Sequence, residues 1–478
     1  MKIFVLILYV VGMLLIGYFS LRRTKNVSDF FLANRSLGPW ISAFAYGTTY
    51  FSAVLFIGYA GRIGWGFGLS SLWIVLGNAL VGSLLAWLVL ARRTRCLTEA
   101  LNAMTMPEFL GARYGSGFLK IFSALVIFIF LVPYSASVYM GLSYLFDAVL
   151  GIPYRYALLV MAGLTGVYLL MGGYLAVSLT DAVQGIIMLF GSVFLVFYLL
   201  VRPEVQGISG AVTRLRSINP LFTSVVGPPG FWALFGLVVL TSLGPWGLPQ
   251  MVQKFYAIKN ERVVKTATIV VTIFAFVCTF GAYFSGSLTH LFFSQPPLSP
   301  SGKPEPDLLM PHLVANIMPS SFALIFLLLI FAASMSTLSS LVLVSSSAIA
   351  IDLLPVSYKP RSLPIMRVLC AIFVALSLIL ALYRISFIVN LMSISWGATA
   401  GSFIAPYLYG LYWRRGNKWG ALVSMLCGLV ISFGGALYFG FGSPLLPLLG
   451  SLAMLVPLGV FPLVSLVTGG AKDAGLRV

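Results

Sequence analysis

The segment FAASMSTLSSLVLVSSS, residues 331–347, is apolar enough to lie in a lipid bilayer, yet it carries Ser334, Ser336, Thr337, Ser339, Ser340, Ser345, Ser346 and Ser347. In an α-helix the carbonyl of residue i points toward residues i+3 and i+4, so the Ala333 carbonyl and the Ser336 and Thr337 hydroxyls converge on one patch. Three neutral oxygens from one turn make half a cage for a hard cation such as sodium, which prefers carbonyl and hydroxyl oxygen to sulfur or imidazole. The other half needs carbonyls released by unwinding of a second helix. The stretch GTTYFS, residues 47–52, offers them, because at a break there the Thr48 and Phe51 carbonyls lose their i+4 donors. Most membrane Ser and Thr side chains bond back to their own helix or let two helices approach, and Ser345, Ser346 and Ser347 are read that way.

These segments must be positioned by membrane helices. The 478 residues are 60% hydrophobic and 8% charged, against roughly 25% charged in a soluble domain. Apolar stretches long enough to cross about 30 Å of hydrocarbon recur thirteen times: 4–21, 39–61, 68–91, 118–146, 154–171, 175–201, 230–253, 264–293, 317–350, 363–383, 386–413, 417–440 and 444–467. The first is too long for a signal-peptide core and lacks a small-residue cleavage site, so it is read as a retained helix. The fold class expected is an all-α polytopic membrane protein with no soluble domain.

Lys and Arg concentrate in cytoplasmic loops. With the amino terminus outside and the carboxyl terminus inside, only Lys2, Arg62, Arg155, Arg202, Arg214, Arg216, Lys303 and Arg384 of the 29 basic residues fall outside. Lys254 is counted with an inner loop. The net charge of +18 is thus a topology signal in a plasma (inner) membrane protein, and no nucleic-acid partner is implied. Cys96, Cys278, Cys370 and Cys427 have neither metal-ligand nor disulfide spacing.

Gly and Pro punctuate two spans, AYGTTYFSAVLFIG (45–58) in the second and SLGPWGLPQ (242–250) in the seventh. A helix broken at mid-membrane is tolerable where the freed backbone faces a cavity or ligand. Two such helices five spans apart imply two five-helix units of opposite orientation, with substrate and ion at the breaks, as in secondary transporters. The expected organisation is 1–38, an extra helix and cytoplasmic loop; 39–229 and 230–415, the two inverted repeats; and 416–478, two accessory helices and a tail.

The motifs SDFFLANRSLG (28–38), GGYLAVSLTDAVQ (172–184) and AASMSTLSS (332–340) resemble those of the sodium:solute symporter family, which contains proline, pantothenate, monocarboxylate, sugar and iodide carriers. The resemblance implies a LeuT-type 5+5 core with one helix before it and two after. It also implies a sodium site of the Thr48, Phe51 and Ala333 carbonyls with the Ser336 and Thr337 hydroxyls, coinciding with the cage argued above. TYFSA at 49–53 looks like the pantothenate and monocarboxylate branch, while the rest is close to proline carriers. Two positions depart: Tyr50 stands where proline carriers have Asp, and Pro245 where sugar carriers have a gating Tyr.

Asp181 is the single acidic residue within an expected span. A membrane carboxylate is costly and is a functional candidate by default, although about one turn inside helix 6 it could also be hydrated or act as a helix-start group. The resemblance places it beside the inner exit route of sodium.

The solute cavity expected from helices 2, 3, 7 and 11 has no charged side chain. Its candidate residues are Thr49, Tyr50 and Ser52 at the first break, Ser71 and Trp73 at the start of helix 3, Ser242 and Trp246 at the second break, and Trp396 in helix 11. A sugar would call for several amides, which are sparse (Asn78, Gln184, Gln250 and Asn390 among the few). A carboxylate needs less, because half-helix amino ends present free N–H groups and a positive dipole while aromatics pack on the apolar part.

The function expected is sodium-coupled symport of a small organic solute, such as proline or pantothenate, by alternating access in a monomeric unit in the bilayer. Sugar carriage, proton coupling and a channel are the alternatives. No phosphate loop for a pump occurs, and His290 and His312 lie toward the outside, away from any converging catalytic group, so the chain is not read as an enzyme.

Overall fold

A computed structural model describes residues 2–21, 32–299, 302–353 and 362–469, without the side chains of residues 21, 167–172, 362 and 363. Among the described residues ten helices are long and apolar enough to cross a membrane, and an eleventh is the bent pair Phe231–Gly247 and Pro249–Tyr256.

Two long helical runs each hold two membrane helices. The run Val54–Ala100 has 47 residues, about 70 Å at 1.5 Å per residue, more than twice a hydrocarbon core. It breaks at Gly68, whose φ of 60° favours glycine; a Cβ there would also meet Phe222 at 2.7 Å. Both sides of the break pack on Arg262–Ser287, so the chain doubles back. The run Tyr154–Leu200 breaks in the same way at Gly173 (φ 58°, ψ −165°).

Divided at these breaks, the described residues form thirteen helices that we number as membrane helices: α1 (Lys2–Leu21), α2a (Pro39–Tyr50) with α2b (Val54–Ile63, continued by Gly64–Phe67), α3 (72–100), α4 (Gly117–Leu150), α5 (154–172), α6 (Gly173–Leu200), α7a (Phe231–Gly247) with α7b (Pro249–Tyr256), α8 (Arg262–Ser287), α9 (Ser320–Asp352), α10 (Ser362–Tyr383), α11 (Ile388–Tyr412), α12 (Lys418–Phe439) and α13 (Leu446–Val467). The long loops carry the short helices Gly207–Ile218 and Leu309–Asn316.

Burial sorts the helices. The most apolar window of α11 is wholly buried and that of α9 is 72% buried, against 17% in α1 and 28% in α12. α9 packs on α4, on α2a and on the α5–α6 run, and α11 on α4, α7a and α13. The hydroxyl-rich helix is therefore surrounded by protein, which is where polar side chains in a membrane helix are tolerated.

Both expected breaks are present, but not both where glycine marks them. In α2 the interruption is Phe51-Ser52-Ala53, with Phe51 extended (φ −112°, ψ 116°). Gly47, four residues earlier, is helical and lies under the Phe274 ring, where a Cβ would come within 2.4 Å of Cδ1. That glycine serves close helix approach. In α7 the helix runs through Pro245 and breaks at Leu248 (φ −76°, ψ 123°), with a 43° bend. Pro249 holds its predecessor Leu248 extended and then occupies the first turn of α7b, where its missing N–H costs nothing.

Candidate sodium and solute sites

The α2 break faces the turn 333–337 of α9. Ser336 Oγ lies 3.0 Å from the Thr48 carbonyl oxygen and 3.0 Å from that of Ala333. Thr337 Oγ1 lies 3.2 Å from the same Thr48 oxygen and 3.5 Å from that of Thr49. Thr48 contributes only its carbonyl, since its hydroxyl bonds back to Phe44 (2.9 Å). At Phe51 the extended backbone takes the carbonyl out of helical register, and Leu55 N–H, its i+4 donor in an unbroken helix, bonds Ser52 O at 3.0 Å. Thr48, Ala333, Ser336 and Thr337 are fully buried and Phe51 is nearly so.

The spacing suits a hard cation. Oxygens about 2.4 Å from a central ion stand about 3.4 Å apart in an octahedral shell, close to the 3.0–3.5 Å separations here. Three of the neighbouring hydroxyls behave as ordinary helix groups: Ser334 bonds Ile330 O, Ser339 bonds Ser336 O and Ser347 bonds Val344 O; Ser345 and Ser346, read from the sequence in the same way, show no such bond.

Asp181 lies deeper than expected. It is two turns into α6 and fully buried, with Lys254 Nζ 3.3 Å from its Oδ2. Lys254, assigned by charge counting to an inner loop, is 1% exposed on the last turn of α7b. Its Nζ also donates to Ser340 Oγ at 3.0 Å, and the Tyr174 ring centroid is 5.2 Å away. Ser340 Oγ in turn lies 3.0 Å from Thr49 Oγ1. Thr49 thus faces the ion network and not the solute. Loop counting missed Lys254 because the bend at Leu248 carries the end of α7b into the protein; an amphipathic Lys-containing half-helix directly after a proline break was the available signal.

A cavity of about 20 Å³ lies on the other side of the α2 break. Tyr50, Ser52 and Trp396 line it as expected, with Asn78 of α3, Tyr134 of α4 and Tyr283 of α8. Tyr50 Oη donates to Thr241 O (2.6 Å), joining α2a to α7a. The Trp396 ring stacks over Tyr50 at 6.2 Å and meets Tyr134 edge-on at 5.7 Å. Trp396 Nε1, Tyr283 Oη and Tyr59 Oη are buried polar atoms without a hydrogen-bond partner at this cavity, so three donors are unspent there. No lining residue is charged.

Besides Thr49, four expected solute residues stand elsewhere. Ser242 Oγ is 3.4 Å from Asn78 Oδ1, one bond behind the wall. Trp246 Nε1 donates to Val81 O (3.0 Å) and fastens α7a to α3. Ser71 closes the Gly68 turn, bonding Gly68 O (2.7 Å) beside Ser287 Oγ (3.2 Å). Trp73 is 48% exposed and donates to Val225 O in the loop between α6 and α7. Proximity to a helix start in sequence did not bring Ser71 or Trp73 to the break, because the break lies mid-membrane and Gly68 lies at the far end of α2b. Tyr134 and Tyr283 were missed because helices 4 and 8 carry no interruption; Asn78, one of the few membrane amides, was visible.

The family model for the sodium:solute symporter family matches residues 30–428. The chain belongs to this family. It is 34% identical to the high-affinity proline transporter PutP of Bacillus subtilis over 428 residues, 87% of this chain and 88% of that one. It is 28% identical to the sodium/pantothenate symporter of Haemophilus influenzae, over 88% and 87% of the two chains. A solved Na+-coupled sialic acid symporter, in a substrate-bound outward-open state, shares the fold with a TM-score of 0.79 at 18% identity, covering 99% of both chains. The fold is the LeuT-type arrangement, and this family member is a multi-pass, sodium-coupled symporter of a small solute, not an enzyme.

Proposed function

We propose that the chain carries one small amino acid, of the size and zwitterionic character of proline, inward with sodium held by the Thr48, Phe51 and Ala333 carbonyls and the Ser336 and Thr337 hydroxyls. The observation that carries this reading is the meeting of those two hydroxyls with the Thr48 carbonyl at the interrupted α2. The uncharged cavity supports a zwitterion: a free anion would meet no basic side chain there, while a zwitterion brings its own cation. The proline transporters among its relatives support the same class. A small carboxylate such as pantothenate is the second reading, favoured by TYFSA at 49–53 and the pantothenate relative.

In this proposal sodium joins α2 to α9 and favours the outward-open form with a completed solute cavity; solute then closes the outer side, and sodium leaves inward past Asp181. The membrane potential supplies about 2.3 kcal/mol per charge at 100 mV. The protein lies in the cytoplasmic membrane as a monomeric working unit, amino terminus outside and carboxyl terminus inside. Residues 39–229 and 230–415 are the two repeats, each beginning with an interrupted helix, with 1–38 and 416–478 accessory.

Proteoliposome uptake tests it. Proline should accumulate above its outside concentration under an inward sodium gradient and not with potassium in its place. Equal uptake in potassium refutes the coupling, sodium flux without solute points to a channel, and pantothenate uptake in place of proline selects the second reading.

A further inference from the structure

Lys2 and Arg155 are two of the eight basic residues that fall outside when the amino terminus is placed outside. They stand at the same end of neighbouring helices. Lys2 Nζ donates to Val149 O (3.5 Å) at the close of α4, and α5 begins at 154 with Arg155, exposed, as its second residue. Further down, α1, α5 and α9 enclose a groove of about 250 Å³, whose walls include Tyr9, Met13, Leu159, Gly163, Phe331 and Met335. No charged side chain lines it, and the Tyr9 hydroxyl already accepts from Gln184 Nε2 (2.8 Å).

Gly163 opens the groove. Small residues in membrane helices usually let a second helix approach, but a Cβ on Gly163 would meet nothing within 4 Å, and Leu159 and Val160 beside it are each 52% exposed. The space therefore faces hydrocarbon, not protein. On α1, Lys2, Tyr9 and Met13 are spaced so that they return to one face; on α5, Arg155, Leu159 and Gly163 recur every fourth residue. Tyr9 and Met13 lie about 10 and 16 Å below Lys2 at 1.5 Å per residue, the depth of one leaflet's chains in a core of about 30 Å. Two cations above an apolar slot at that depth match a phospholipid with a negatively charged headgroup.

The floor of the groove is the back of the sodium turn. Phe331 and Met335 flank Ala333 on α9, Met335 directly precedes Ser336, and the Phe331 ring meets that of Tyr9 edge-on at 5.2 Å. A void there would leave these side chains without packing partners on one side. We propose that an anionic phospholipid binds between α1 and α5, with its headgroup on Lys2 and Arg155 and one acyl chain beside Gly163, and that this chain braces the turn of Ala333, Ser336 and Thr337 so that sodium binds more tightly.

Native mass spectrometry of the purified, full-length protein tests the site, with phosphatidylglycerol and phosphatidylcholine of identical chains as probes. Phosphatidylglycerol should stay bound through a delipidation that strips phosphatidylcholine. Lys2→Gln combined with Arg155→Gln should remove the preference, and Gly163→Phe, whose ring grows into the open slot, should lose the bound lipid. Equal retention of the two lipids, or unaltered retention in the charge variant, which leaves the core untouched, overturns the proposal. So does displacement by glycerol 3-phosphate, a headgroup without chains, or a dimer formed in place of bound lipid, which gives the groove to a second copy. In nanodiscs, the sodium concentration for half-maximal thermal stabilisation should be at least about fivefold lower in phosphatidylglycerol than in phosphatidylcholine, a difference that the charge variant abolishes. Thermal stabilisation by sodium presupposes the Thr48–Ser336 site, whereas lipid retention does not. No stabilisation by sodium in either lipid overturns the sodium site and leaves the lipid site standing; retained phosphatidylglycerol with equal sodium affinity in both lipids overturns the bracing alone.

Discussion

α7 parts at Leu248 because Pro249 follows it; α2 parts at Phe51-Ser52-Ala53, with no proline and no glycine at the interruption. The first break has a local covalent contribution, since the pyrrolidine ring disfavours the helical conformation of the preceding residue, although the same helix runs through Pro245. The second is held by its surroundings: Ser336 and Thr337 hydroxyls take up the Thr48 carbonyl, and Ser52 Oγ accepts from Val54 N–H (3.2 Å). The α7 interruption thus has a determinant in its own sequence, whereas the α2 interruption answers to what α9 presents to it. An element that must sense an ion is expected to be of the second kind.

The largest effect should come from the end of α7b, which the bend brings against α6. Asp181→Ala strands the Lys254 ammonium in the interior, and loss of one partner of a buried pair costs about 3–5 kcal/mol. Thermal unfolding in detergent should show a fall of many degrees. An unchanged melting temperature would mean that the pair does not hold α7b, and the two breaks would then differ less than argued.

Next comes the α2 break itself. Ser336→Ala with Thr337→Ala removes both hydroxyls that meet the Thr48 carbonyl. Sodium affinity should fall at least about tenfold, equivalent to about 1.4 kcal/mol, read as the sodium concentration giving half-maximal thermal stabilisation. Wild-type affinity in this variant would remove α9 from the ion site.

Tyr50→Phe is smaller. It deletes the bond from Tyr50 Oη to Thr241 O that links the two interrupted helices, worth about 1 kcal/mol. The solute KM should rise about fivefold with the sodium dependence of uptake unchanged; a change in sodium dependence alone would place Tyr50 with the ion.

Pro249→Ala should do least. The bend at Leu248 is also fixed by contact of Gly247 with α11, where a Cβ would stand 2.6 Å from Ala400 O, so stability should shift by less than about 1 kcal/mol and sodium affinity should stay within twofold. A large loss would show that proline alone keeps α7 open, which sharpens the contrast with α2.

The same contrast explains what the sequence discloses. Thirteen apolar stretches are legible because crossing lipid constrains composition residue by residue, and the Ala333–Ser336–Thr337 patch is legible because i to i+4 geometry is local. The α7 break is legible through its proline. The α2 break is placed about four residues from Gly47, the glycine that drew attention to it, because that glycine answers to Phe274 of α8, a tertiary contact. Tyr134 and Tyr283 reach the solute cavity from helices that are not interrupted, although Pro133 directly precedes Tyr134. Lys254 reads as a loop cation by charge counting because nothing local says which way α7b turns after its bend. Ser71 and Trp73 show the reverse error, as hydroxyl and indole near a helix start serve a turn and a loop.

The cavity between Tyr50 and Trp396 has room for about one water-sized centre. Walls that leave so little free space must part before a solute of several heavy atoms can settle between them. Loading and rearrangement of these helices are thus a single event, with each solute making the room that it occupies.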